Sequence, residues 1–472
     1  MLTAALAAIA IVTQDQTALR AAPRDSAPQQ TVLWQGDTLE VRGQQFGFLQ
    51  VYDHRRERGG YVRASQVRTS NLQAADAPGL LAVVHFLTDT PGQEALGMAY
   101  AAAYIKAAPA EAIGADVFDA LGTMADRLGR RASQRQARPD DAATAAHLDV
   151  AASLGVTMVS VEQDGRMQLC YDGEAFRRVL ALPASAEQQA HAALALTRPE
   201  CSDPNLRPVE RFNLDTWRAR VLDLVDTGNL PDYEKNRIRL RQAGVWASLA
   251  YEHTRRGEPA QESAERAINA LAGVNKVQLA EEDNTAYNEA AIRVGASRWA
   301  AAPIPAASHG LTISLSPGQP GETCVALMDT RKAVGKQPAM PLVQRCTYGL
   351  VWTGSTSVNA MGTALALAVQ PLEGWRELWM FHQTALGWSA DVLPPSQDNP
   401  DLGYLEFAGW VPGGKQLLAV SEVKTAGHYQ RKFQVIKLDT LAVQKQADRP
   451  ESLSAFNRWQ DPLWKQQTVS VR

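Results

Sequence analysis

The chain has little of what reactions are usually built from. Its eight histidines, His54, His85, His147, His191, His253, His309, His382 and His428, are scattered, and no two stand four apart on one helix face. A metal pair of the kind that spacing supplies is therefore absent from the pattern. There is no GxxxxGK[ST], no GxGxxG after a strand, no HExxH and no GxSxG, so phosphate cradle, dinucleotide fold, zinc protease and nucleophile elbow have no sequence support. The expectation is no catalytic residue, no metal site and no cofactor. A net charge of −3 gives no reason to expect binding to nucleic acid or anionic lipid, both of which need a basic surface, and leaves room only for a local basic patch. No run reaches about 18 apolar residues, the length a spanning helix needs.

Cysteine is scarce too. The four are Cys170, Cys201, Cys324 and Cys346, two pairs each close in sequence, with no CxxC spacing. That arrangement suits two disulfides in an oxidising compartment, with four free thiols in a cytosolic protein as the alternative. The start, MLTAALAAIAIVTQ, carries an apolar run from Leu2 to Val12. It has the character of a signal-peptide core, with Ala8 and Ala10 as small residues before a cut, but lacks a positively charged lead. Residues 1–16 are thus read as a signal-peptide remnant, or as an Ala-rich first strand. A periplasmic or extracellular location follows from the first reading, a cytoplasmic one from the second.

What is present begins with short strands. Residues 18–68 run ALRAAP, VLWQGDTLEVRG, FGFLQVYD and GGYVRASQVR. Alternation at Leu39 and Val41 follows a Gly36-Asp37 turn, and His54–Gly60 is a charged turn. This order resembles a bacterial SH3-type (SH3b) domain, placed at residues 17–70. The resemblance implies a small β-barrel with a shallow aromatic groove that holds extended peptides, often cell-wall stem peptides. Trp34, Phe46, Phe48, Tyr52 and Tyr61 are the candidate ligand-binding residues. Phe46-Gly-Phe48 stands where the family often shows a Trp-Tyr pair. Arg55, Arg56 and Arg58 read as a solvated face, with a rim for acidic ligand groups as the alternative.

Residues 76–300 read as mainly helical. Val117, Leu121, Met124 and Leu128 recur on one helix face. A hairpin interrupts at 156–171, turning at Asp164-Gly165. Ser185 to Gln188 resembles a capping box. Arg239–Arg255 and Pro259–Leu271 read as a helical hairpin broken at Gly257. The acidic clusters Glu281-Glu282-Asp283 and Asp140-Asp141 suit helix starts.

Residues 310–472 read as β-rich. GLVW352 through ALALAV369 to ELWMFH382 looks like AGW410VPGGKQLLAV420 to FQVIKLD439. Trp352 and Trp410 are taken as counterparts, and 350–440 is similar to propeller blades. A closed ring needs about four blades, so an open or partial ring is expected. The aromatic tail with Trp459 and Trp464 is expected to pack on the body.

The expected architecture is a multi-domain α+β protein: an SH3-like barrel, a helical middle, and an antiparallel, blade-like C-terminal domain. The expected role is non-catalytic, in the bacterial envelope. The leading module would bind peptide or peptidoglycan, and the β domain would give a second surface, for a protein partner. A wall-targeted hydrolase and an intracellular scaffold are the competing classes.

Overall fold

The computed structural model describes residues 8–134, 142–163, 165–303, 309–332, 340–397, 401–462 and 464–465. Asp140 and Asp141 lie outside the described residues. The chain is α+β, with several antiparallel sheets, and divides into two compact units. One is residues 1–206 with 224–230, the other 207–223 with 231–472. The helical stretch 76–300 is therefore shared between them.

In the first unit, alternation of apolar and polar residues sets seven strands. They are β1 Ile9–Val12, β2 Thr17–Arg20, β3 Gln29–Leu33, β4 Thr38–Gln45, β5 Phe48–Asp53, β6 Arg58–Arg63 and β7 Val67–Ser70. Their order is β3-β2-β6-β5-β4-β1-β7, antiparallel throughout. No ladder among the described residues joins β3 to β7, so the expected barrel is open in its hydrogen bonding. Ala10, Val12, Leu19, Leu33, Leu39, Leu49, Val51, Val62 and Val67 fill one face. Ala10 and Val12 belong to this core and β1 pairs with both β4 and β7, so residues 9–12 are a first strand. Cleavage after Ala10 would cut through it.

Helices α1 Ala77–Thr88, α2 Glu94–Ala107, α3 Ala115–Gln134, α4 Ala142–Ser153, α5 Glu174–Ala181 and α6 Ala186–Leu196 complete the unit. Val117, Met124 and Leu128 of α3 join Met98, Phe176 and Val179 in their core, with Leu121 half-buried beside them. Ser185 Oγ accepts from Gln188 N while Gln188 reaches back to Ser185 N, the reciprocal cap of α6. A hairpin, β8 Met158–Gln163 and β9 Arg166–Tyr171, lies between α4 and α5. The Cys170–Cys201 disulfide ties β9 to the chain just beyond α6. Gly36 has φ +88° and its hydrogen faces the Ala95 carbonyl, which a Cβ would meet at 2.5 Å. Only glycine allows this turn to approach α2 so closely.

The second unit opens with α7 Pro208–Asp223, α8 Asp232–Arg255, α9 Gln261–Ala272 and α10 Asn284–Ser297. Leu240, Ala243 and Ala247 of α8 meet Ala267 and Leu271 of α9 and Ala290 and Val294 of α10. Then comes a small sheet, β10 Leu311–Pro317, β11 Thr323–Asp329 and β12 Val343–Thr347. Facing residues Cys324 and Cys346 are bridged across it.

Two four-stranded antiparallel meanders follow. The first is β13 Leu350–Val358, β14 Ala364–Leu372, β15 Trp375–Thr384 and β16 Gly387–Leu393. The second is β17 Leu402–Trp410, β18 Gln416–Thr425, β19 His428–Lys437 and β20 Val443–Ala447. Two parallel pairs, Trp375 with Gly403 and Arg376 with Tyr404, join them. From Leu350 to Leu402, and from Ala364 to Gln416, the step is the same, 52 residues. That step also carries Gly362 onto Gly414, both at positive φ in the first turn of their meander (+62° and +66°). It matches Trp410 with Val358. Trp352, by contrast, lies near the start of β13, so the two tryptophans are not counterparts.

Each meander buries both faces. Leu365, Leu367 and Phe381 pack with Val325 and Leu327 of the small sheet. Ala366 and Met380 pack with Leu405 and Leu417 of the second meander. The far face, Leu418, Val420 and Phe433, is covered by Leu453, Phe456 and Trp464 around the short helix α11 Ser454–Trp459. Of the aromatic tail, Phe456 and Trp464 are thus packed as expected, whereas Trp459 is exposed. Buried charge ties helix to strand: Arg376 Nη1 donates to Gly295 O (2.7 Å), and Arg298 and Arg376 share Glu406. Burial first, and the neighbouring Arg298 second, pull the Arg376 guanidinium down to about 9.

Candidate binding face on the leading sheet

Strand β5 alternates. Leu49, Val51 and Asp53 are buried under the sheet, so Phe48, Gln50 and Tyr52 point to the opposite face. Directly paired residues share a face. Tyr52 is paired with Glu40 on β4, Gln50 with Tyr61, and Phe48 with Arg63 on β6. Phe48, Tyr52 and Tyr61 therefore lie on one surface. Tyr52 and Tyr61 are half-buried, and Phe48 is covered.

Cations frame this surface. The Arg42 guanidinium lies 4.1 Å from the Tyr52 ring centre and that of Arg63 lies 5.3 Å from Phe48. Arg42 Nε also donates to Glu40 Oε1 (3.1 Å), and His54 Nε2 meets Glu40 Oε2 at 2.6 Å. Hydrogen bonds from Arg42 and then His54 hold the Glu40 carboxyl below its ordinary range. Arg63 pairs with Asp25. Exposed pairs of this kind are weak and screened by salt, so a ligand carboxylate can replace Glu40 or Asp25 at small cost. The arrangement offers aromatic contact area with guanidinium groups at both ends, which suits an extended peptide bearing acidic groups.

The other two expected residues are elsewhere. Phe46 stands at the tip of the β4–β5 turn, 82% exposed, with φ +51°. Trp34 follows β3 and meets the His147 ring edge-on at 6.5 Å. Arg55 and Arg56 are not a free rim. Arg56 pairs with Asp53 (2.6 Å) and Asp37 (3.1 Å), and Arg55 reaches Asp37 at 3.7 Å. Asp37 and Asp53 are buried, and Asp37 Oδ2 also accepts from Trp34 N (2.9 Å). The Gly-Asp of the second strand motif thus holds the turn together.

A buried polar network behind Trp34 is invisible in the sequence. Gln35 Nε2 donates to Gly92 O (2.8 Å), His147 Nε2 meets Asp15 Oδ1 at 2.8 Å, and Arg131 Nη2 meets His147 Nδ1 at 2.9 Å. Arginine can only donate, so Nδ1 accepts and Nε2 carries the proton toward Asp15. Arg131 and Arg127 also pair with Glu94 (2.6 and 2.7 Å). The network joins the sheet to α2, α3 and α4.

Two other imidazoles touch hydroxyls. His253 Nδ1 lies 3.0 Å from Ser263 Oγ, with Glu258 4.0 Å from the other nitrogen. Ser263 is 3% exposed in the first turn of α9, where no carbonyl substrate can reach its oxygen, so the pair staples the α8–α9 turn. At His382 the hydroxyl and imidazole both bond one carboxylate, Ser389 Oγ and His382 Nε2 each reaching Asp391 Oδ2 (2.6 and 2.9 Å). A nucleophile must instead bond the base. Glu322 lies by Cys324 and Cys346, but those sulfurs are joined to each other.

No protein-family model matches this chain, and no curated protein and no solved structure matches it either. No helix among the described residues is long and apolar enough to cross a membrane.

Proposed function

We propose that this chain is a non-catalytic bacterial envelope protein whose leading SH3b-like sheet binds peptide, in particular the acidic stem peptides of peptidoglycan. The observation that carries this reading is the surface of Phe48, Tyr52 and Tyr61 flanked by Arg42 and Arg63. The two disulfides support an oxidising compartment, periplasmic or extracellular. The stacked, blade-like sheets of the second unit provide a further surface for a protein partner.

The test is retention on purified, insoluble peptidoglycan. Tyr52→Ala/Tyr61→Ala in the full chain removes aromatic area without touching the buried face. Retention should fall about tenfold or more, since each central aromatic anchor is worth roughly 1–2 kcal/mol. Equal retention of variant and parent refutes docking through this face.

A further inference from the structure

At the far end of the second meander, α11 and the edge strand β20 enclose an open cleft of about 370 Å³. Phe456 fixes the helix there, its ring edge-on to Phe433 at 5.4 Å and fully buried. Lys445 is paired in register with Val435, so its stem shares the face that α11 covers. The cleft's polar lining includes Gln416, Gln444, Lys445, Ser454, Arg458 and Trp459.

Three features mark it as built for a ligand. First, its two cations are unpartnered: the neighbouring Lys432 and Lys437 pair with Asp448 and Asp439, whereas Lys445 and Arg458 have no carboxylate partner among the described residues. Second, the Gln416 amide donates to Gln444 Oε1, which leaves the Gln416 oxygen as an acceptor and the Gln444 amide as a donor. With the Ser454 hydroxyl these form a short row of alternating polarity. Third, Trp459 is 43% exposed at the rim, although the same short helix buries Phe456 completely.

We infer that this cleft binds a carboxylated sugar. The volume lies at the lower end of small-ligand pockets and suits one or two pyranose rings. An indole accepts the apolar face of a sugar ring. Amides and a hydroxyl match ring hydroxyls, and a guanidinium and an ammonium lining the same cleft match a carboxylate. Neither cation is offset by acid, so a neutral sugar leaves both charges unmatched. This site is separate from the peptide-binding face and stands or falls without it.

Calorimetric titration of the full chain with four probes tests it: N-acetylmuramic acid, glucuronic acid, glucose and acetate. At least one of the acids should bind saturably, and about tenfold or more tighter than glucose, which lacks the charged hydrogen bond, and than acetate, which lacks the ring that stacks on the indole and bonds the amides. Preference for the muramic acid points to cell wall as the source, and preference for glucuronic acid to an acidic polysaccharide. Arg458→Gln and Lys445→Gln should each weaken the acid about tenfold. Both cations are exposed, so the variants keep the parent's circular dichroism and melting profile. No saturable acid binding by the parent overturns the inference. So does equal affinity for glucose, or an Arg458→Gln/Lys445→Gln chain that binds as the parent does.

Discussion

Glu94 and Asp215 are both buried carboxylates on helices, one in each unit, and their surroundings push them in opposite directions. Glu94 opens α2, so its charge sits at the favourable end of the helix dipole. Burial alone would raise its carboxyl. The Gly92 N–H, Arg131 and Arg127 outweigh that and hold it below its ordinary range. Asp215 lies inside α7, where no free backbone N–H is available. Burial dominates there. Ser248 Oγ (2.7 Å) and Arg218 (3.3 Å) only partly offset it, and Glu373 adds repulsion, so its carboxyl is raised. Glu252 is raised for the same first reason. Depth of burial is thus a poor guide to the state of an acid. The number of donors aimed at it decides.

The sharpest test of that contrast is Glu94→Gln. It leaves Arg127 and Arg131 facing a neutral group in the interior, which should cost about 3–5 kcal/mol. Hydrogen exchange of α2, read by mass spectrometry on intact chain, measures it. A loss under about 1 kcal/mol would break the comparison.

Acid should separate the two units next. A lowered folded value means stability that is present above the unfolded value and lost as pH falls through the folded one. For Glu94 that loss begins below the ordinary value of 4.5. A raised value means the reverse: Asp215 costs stability once pH rises through the ordinary 3.8 toward its higher folded value, and acid relieves that cost. Between neutrality and about pH 4.5, exchange protection should hold in α2 and rise in α7. Below that, α2 should lose protection. Parallel curves for the two helices would show that donors do not set the difference.

The smallest effect is expected from Asp215→Asn. It removes a charge that burial already disfavours and keeps an acceptor for Ser248, so it should change stability at neutral pH by about 1 kcal/mol or less. Protection of α7 in this variant should also lose its rise in acid. A cost matching that of Glu94→Gln would mean that Arg218 depends on the charge more than the geometry indicates.

Much of this architecture was legible in the sequence where local rules operate. Of the Asp164-Gly165 turn signal, Asp164 lies outside the described residues, and Gly165, at φ +71°, stands between the paired ends of β8 and β9, where a tight hairpin needs positive φ. The spacing of Val117, Leu121, Met124 and Leu128 exposed the buried stripe of α3. The cysteine pairs were legible because each bridge spans few residues, 31 and 22. The rest depended on distant partners. His147 and Asp15 meet across 132 residues, and nothing local to either marks the contact. Asp37 looked like a turn residue, yet it also neutralises Arg56 from the next hairpin. The match of Trp352 with Trp410 failed because a conspicuous indole was used as the landmark. The repeating feature is the glycine turn that closes each meander's first hairpin. Of the five aromatics that the SH3b resemblance singled out, Phe48, Tyr52 and Tyr61 share one strand face, whereas Trp34 and Phe46 stand outside the strands, where the direction of a side chain is not encoded by the pattern.

The placement of Trp34 against His147 has a practical consequence. It is the sole indole of the first unit, and the other ten of the chain's 11 tryptophans fall in the second. Emission spectroscopy will therefore report almost entirely on the second unit, and a melt followed that way is nearly blind to the sheet that carries the peptide face. Subtracting the spectrum of Trp34→Phe from that of the parent isolates one fluorophore, seated where sheet and helices meet.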